Sequence, residues 1–263
     1  MVDGAVIYKK KDRTAYITLN RPEALNALNR EASEALTAAM VDFRDDPEVW
    51  VAILTGAGDR AFCAGADIKD MAPRLLWDDA TPAPRRSTQP SFSSPEFELW
   101  KPVIAAVHGY ALGAGAELAL ACDMIVAADT TQFGIVEGRL GYIAAGAVVH
   151  RLPRQIPLKL AMEMILTSKH VGAEEGYRVG LFNEVVPREE LMAAAERLAN
   201  TILACSPIVV QACKQGIMVG LESPLRVAHP VNYELMDRVA TSEDVQEGIS
   251  AFLEKREPRW KGR

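Results

Sequence analysis

Residues 105–141 read AAVHGYALGAGAELALACDMIVAADTTQFGIVEGRLG. An apolar run from residue 103 ends at His108 and Gly109, a turn of small residues opens a helix, and MIVAAD begins a second apolar run. The spacing predicts a strand over 103–107, a helix over 115–122 and a strand over 124–127. Strand, helix and strand in alternation imply a largely parallel sheet with helices packed outside it. Two carboxyls, Glu117 and Glu137, sit in this apolar stretch. Burying such groups is costly unless they are paired, hydrogen-bonded or functional. Two of them are also the minimal equipment for acid and base work on one water molecule.

Outward from that stretch, VIYKKKDRTAYITLNRP near the start reads as a hairpin ended by Pro22. Asn26 is placed to cap a helix over about 29–43, where Ala32, Leu36, Ala39 and Phe43 recur at helical spacing. WVAILTG (50–56) is a short apolar run of the kind that a strand buried on both faces requires. FCAGADIKDM (62–71) is a second turn leading into a helix. The Pro-rich segment 72–96 is either a loop lying over a site or a surface excursion, and its place between two candidate ligand turns favours the first. Past Pro187, Leu191, Ala195, Leu198 and Ile202 form an apolar stripe, and helices are predicted over 207–219, 224–240 with a break near Pro230, and 244–254 after Ser242. The expected division is a core over 1–200 and a helical appendage over 201–263, whose apolar stripes cover the core or make a subunit interface.

The chain has 263 residues with a net charge of -6, 49% hydrophobic and 24% charged residues. That balance is ordinary for a soluble globular enzyme and argues against nucleic acid as the main partner. Cys63, Cys122, Cys205 and Cys213 show no metal-ligand or disulfide spacing, so a reduced, cytoplasmic setting and no metal are expected. The first residues lack the apolar run of a signal peptide, and no stretch is long and apolar enough to span a bilayer.

Three segments carry chemical signals. In FCAGADI, Gly65 permits unusual backbone dihedrals, and Ala64 and Ala66 let a ligand approach main-chain N–H groups. In YALGAGAEL (110–118), Gly113 and Ala114 stand at the positive end of a helix, suited to a developing negative charge. Facing each other, these turns would form an oxyanion hole. The third segment, FGIVEG (133–138), carries Glu137. Taken singly, a small-residue turn is more often tight packing, and GAGAE is not a dinucleotide fingerprint. His108 reads as a structural residue and Cys63 as a packing residue.

In combination, LNRPEALNAL, ILTGAG, AFCAGADI, KPVIAAVHGYALGAGAELALACD, FGIVEGRLG and LFNEVVP closely resemble the crotonase (enoyl-CoA hydratase/isomerase) superfamily, from about Val6 to Arg259. The resemblance implies an α/β spiral of ββα units with a C-terminal helical trimerisation region, and a homotrimer or homohexamer. It places the oxyanion-hole donors at Ala66 and Ala114. The acid/base glutamates fall at Glu117, for water activation, and Glu137, for proton transfer at the α-carbon. The coenzyme A path would run along Ala24, Leu25, Ala64, Gly65, Ala66, Asp67, Ile68 and Gly113. The implied activity is reversible hydration of an enoyl-CoA, with coenzyme A part of the substrate and no further cofactor. Other reactions of the superfamily are carnitinyl-CoA-type dehydration, double-bond isomerisation and acyl-CoA hydrolysis. RLPRQIP (151–157) and the terminal EKREPRWKGR resemble carnitinyl-CoA dehydratase-type members. Lys255, Arg256 and Lys261 are candidates for the coenzyme A phosphates. The chain departs from the family pattern at Val136, where proline is usual, and in GYIAAGAVV (141–149), whose Tyr142, Val148 and Val149 are bulkier than the usual residues and bear on the shape of the acyl pocket.

Overall fold

A computed structural model describes residues 4–75, 91–94, 96–144, 146–229, 231 and 234–263, without the side chains of 73–75. Most of the Pro-rich segment, expected to lie over the site, therefore falls outside the described residues. The chain opens with β1 (Val6–Lys11) and β2 (Thr14–Leu19), paired antiparallel from Val6↔Leu19 to Lys11↔Thr14 as the expected hairpin. Helix α1 (Arg30–Asp45) follows. Its N-cap is Asn29, whose side chain accepts from the Ala32 N–H, and not Asn26 as the sequence suggested. Asn26 is buried, accepts from the Arg21 N–H at 2.9 Å, and donates to the carbonyls of Ala57 (2.9 Å) and Ala61 (2.8 Å). An amide that donates twice and accepts once is better used pinning three segments than ending one helix, and such long-range partners are invisible in sequence.

Three strand pairs then repeat one pattern. They are β3 (Val51–Gly56) with β4 (Ala61–Cys63), β5 (Val103–Val107) with β6 (Tyr110–Leu112), and β7 (Met124–Ala128) with β8 (Gln132–Gly134). The first of each pair enters a sheet ordered β1-β2-β3-β5-β7 and parallel from β2 onward; the second enters a smaller sheet ordered β4-β6-β8. Helix α2 (Ile68–Leu75) follows the first pair and α3 (Ala114–Ala121) the second. This is the repeated ββα unit. The larger sheet is completed by β10 (Glu184–Val186), and the smaller by β9 (His170–Gly172), antiparallel to β8. Between β8 and β10 lie α4 (Val148–Gln155), α5 (Leu158–Thr167) and α6 (Ala173–Arg178).

Alternation along the parallel strands explains their unbroken apolar runs. Ala52 and Leu54 enter a core shared with α1 and the small sheet, while Val51 and Ile53 point the other way. That second face, with Ile104 and Val126, is covered by Leu191, Ala194, Ala195 and Ala199 of α7 (Leu191–Leu203). Each fully buried Ile or Leu there contributes roughly 1.5–3 kcal/mol. Beyond α7 run α8 (Pro207–Gly220), α9 (Leu225–Ala228), α10 (Glu234–Ala240) and α11 (Glu243–Glu254). Apolar side chains remain exposed along these helices, among them Ile217, Leu221, Leu225, Phe252 and Leu253. Among the described residues no single helix is long and apolar enough to cross a membrane.

Candidate active site

The two small-residue turns meet. The turn after β4 is zipped to residues 25–28: Ala64 N–H donates to the Leu25 carbonyl (3.0 Å), Leu28 N–H to Gly65 (2.8 Å) and Asp67 N–H to Leu28 (2.9 Å). In a parallel bridge of this form Leu28 takes the groups flanking Ala66, so the N–H of Ala66 itself faces the opposite side. The turn into α3 lies against this one, close enough that a Cβ on Gly65 would sit 3.7 Å from the Ala114 nitrogen. Ala114 is the first residue of α3, so its N–H has no acceptor one turn back within the helix. Two backbone donors from two abutting turns thus lack partners inside their own elements, one of them at a helix N-terminus. Arg21 bridges to Asp67 at 3.0 Å and donates to the Ala27 carbonyl, tying the 22–28 segment, with Ala24 and Leu25, to the Ala64–Ile68 turn. The residues expected along one ligand path are therefore neighbours.

The carboxyls close the other side. Glu117 lies in the first turn of α3 and is 8% exposed; Glu137 opens a 3-10 turn after β8 and is 4% exposed. Burial raises the Glu117 carboxyl to about 7, against the opposing Gly146 N–H bond at 2.7 Å and with a further upward push from the charge of Glu137. Burial likewise raises Glu137, opposed by the backbone N–H groups of Glu137 and Val136. Proline at position 136 would lack that N–H, so Val136 supplies a donor that the usual residue cannot. Among the described residues Glu137 Oε2 is buried without a hydrogen-bond partner.

Glycines make both placements possible. Gly113 takes φ of 52°, and a Cβ there would stand 2.8 Å from Glu137 Oε1. A Cβ at Gly146 would overlap the Glu117 carboxyl. Gly113 belongs to the motif read from sequence; the part played by Gly146 was missed, since nothing in AAGAV points at a helix 29 residues earlier.

A family model described as enoyl-CoA hydratase/isomerase matches residues 9–263. The chain belongs to the enoyl-CoA hydratase/isomerase family. It is 39% identical over 257 residues to (E)-benzylidenesuccinyl-CoA hydratase of Thauera aromatica, covering 98% of this chain and 99% of the relative. It is 41% identical over 251 residues to carnitinyl-CoA dehydratase of Salmonella enteritidis, covering 94% of each. The crystal structure of an enoyl-CoA hydratase from Mycobacterium marinum superposes with a TM-score of 0.88 at 39% identity, covering 98% of this chain and 99% of that one. The two-sheet spiral of ββα units is the crotonase fold of that family.

Cys63 is fully buried and burial pushes its thiol up to about 12, as suits a packing residue. His108 is also fully buried; burial and the nearby positive charge of Arg188 push it down to about 4. Val148 is wholly in the core and Val149 packs against it, while Tyr142 is half-buried. Arg256 pairs with Glu247 and Glu254, and Lys261 with Glu243, so both are engaged within the tail. Among the described residues no three His, Cys, Asp or Glu side chains are grouped as metal ligands.

Proposed function

We propose that this protein is an acyl-CoA hydro-lyase that adds water reversibly across the α,β double bond of an enoyl-CoA thioester. The observation that carries this is the buried carboxyl pair with raised pKa values, beside two backbone donors that lack partners inside their own elements. The Ala66 and Ala114 N–H groups donate to the thioester carbonyl oxygen and stabilise it as it becomes an enolate, where losing one such donor typically costs about 3–4 kcal/mol. Glu117, with a pKa near the working pH, takes a proton from water as the oxygen attacks the β-carbon. Glu137, whose carboxyl burial raises, delivers a proton to the α-carbon. Dehydration runs the same steps backward. The coenzyme A portion lies along Ala24, Leu25, Ala64, Gly65, Asp67, Ile68 and Gly113. It arrives as part of the substrate, and the reaction as written needs no metal or redox group. The exposed apolar side chains of α8–α11 support assembly as a homotrimer or homohexamer. A cytoplasmic setting accords with the inert buried thiols of Cys63 and Cys122.

The test is turnover of crotonyl-CoA and a panel of longer and polar enoyl-CoAs, followed by loss of enoyl-thioester absorbance, for the natural protein, Glu117→Gln and Glu137→Gln. Undiminished turnover in both variants refutes the assignment. The altered 141–149 loop favours one second reading, the same enolate chemistry used for double-bond isomerisation. Product mass separates the two, because hydration adds one water and isomerisation adds none.

A further inference from the structure

Helices α8–α11 are not the only part of the chain that leaves large apolar side chains in solvent. Leu158, Met162 and Leu166 stand four residues apart on α5 and so form one stripe down the helix, each between 46% and 72% exposed. The other side of α5 is buried through Ala161 and Met164. Beside the end of this helix lies the 3-10 turn that carries Glu137. A Cβ on Gly138 would sit 3.8 Å from the Ile165 carbonyl oxygen, and Arg139 donates to the Thr167 carbonyl at 3.5 Å. That turn exposes Leu140, and the loop after it, held to the Glu137 carbonyl by the Tyr142 N–H at 3.3 Å, exposes Ile143. An apolar surface of this kind marks a place that another molecule covers.

Charge indicates which molecule. Residues 139–169, which hold the α5 face, contain five Lys or Arg and one Glu. Residues 217–255, which hold the α8–α11 face, contain seven Asp or Glu and three Lys or Arg. Either face set against its own copy brings like charges together. The α5 face set against the α8–α11 face brings opposite charges together around two apolar centres. Both faces are exposed in the single chain, so they do not cover each other within it. Contact between two unlike faces of identical chains is heterologous, and it closes into a ring when the rotation allows. We infer that the α5 face, with Leu140 and Ile143, is covered by the α8–α11 face of a second copy of this chain. This pairing rests on the assembly proposed above and names the surface that it uses. The turn that carries Glu137 then lies at the interface between copies.

The test is a mixing experiment on the full-length protein, read by sedimentation velocity. One variant combines Met162→Glu and Leu166→Glu on the α5 face; the other combines Phe252→Glu and Leu253→Glu on the α8–α11 face. All four positions are exposed, so circular dichroism should match that of the natural protein. The natural protein should sediment as a trimer or hexamer, and each variant alone as a 28.7 kDa monomer. An equimolar mixture should give a dimer of one chain of each kind, because it retains one intact face of each type. A second α5 variant, Arg139→Glu with Lys159→Glu, keeps the apolar stripe and should raise the dissociation constant by about tenfold or more. Assembly of either α5 variant as tight as that of the natural protein overturns the pairing, and so does a mixture that stays monomeric. A natural protein that is itself monomeric overturns the pairing and the proposed assembly together. The hydration reading is judged apart from both, by crotonyl-CoA turnover.

Discussion

Replacing Glu117 by glutamine should make the protein more stable while destroying its activity. The carboxyl moves from 4.5 in the unfolded chain to about 7 in the fold, mainly through burial. At about 1.4 kcal/mol per pH unit, that shift is worth roughly 3 kcal/mol. The sign follows from proton binding. Between pH 4.5 and 7 the unfolded chain has released this proton and the folded protein still holds it, so stability falls as pH rises through that window. Above pH 7 the whole penalty is present, and below pH 4.5 it is absent. Glutamine carries no charge at any pH, and its carbonyl oxygen can still accept the Gly146 N–H. Urea unfolding at a fixed protein concentration should therefore show Glu117→Gln about 3 kcal/mol more stable than the natural protein at pH 8. The two should converge near pH 4.5. Hydration should fall by about 10²–10⁴ in the same variant. A stability difference that does not change between pH 5 and pH 8 would refute the reasoning, since an uncharged-for-charged exchange at a solvated site is blind to this window.

Three further outcomes follow from other parts of the fold. His108 titrates near 6.5 when unfolded and about 4 when folded, so the unfolded chain binds the extra proton and stability falls as pH drops through that range, by roughly 3 kcal/mol in all; unfolding curves of His108→Gln at pH 7 and pH 4.5 should lose this contribution. Gly113→Ala forces a side chain onto a residue at φ of 52° and against Glu137 Oε1, so kcat should fall on the order of 100-fold while circular dichroism shows the fold retained. Asp67→Ala removes the 3.0 Å bridge to Arg21 and loosens the seam between the 22–28 and 64–67 segments; KM for the acyl-CoA should rise more than kcat falls, with stability reduced by no more than about 1 kcal/mol because the pair is only half-buried.

The long elements were legible because each is periodic within itself. Val51–Gly56 and Val103–Val107 are continuous apolar runs, as strands covered on both faces must be, and the stripe from Leu191 to Ile202 fits a helix lying on a sheet. Pro207 and Ser242 mark helix starts that the structure places at those points. The small sheet was not legible. Ala61–Cys63, Tyr110–Leu112, Gln132–Gly134 and His170–Gly172 have three residues each, too few for any alternation to register. Asn26 was misjudged for a related reason. A capping amide and a pinning amide look alike until the carbonyls of Ala57 and Ala61 are known to lie beside it.

The sequence by itself determined the alternation of long strands and helices, the two glycine turns and the presence of two glutamates in apolar surroundings, because each depends on residues close together in the chain. Only the tertiary structure decided that the Gly65 turn abuts the Ala114 turn, that Gly146 reaches back to Glu117, and that the Val136 N–H and an unpartnered Oε2 define the surroundings of Glu137. The first two depend on segments 49 and 29 residues apart meeting in space, and the last on how much water such meetings remove. Desolvation is a property of the assembled site, and it is what lifts the Glu117 carboxyl to about 7.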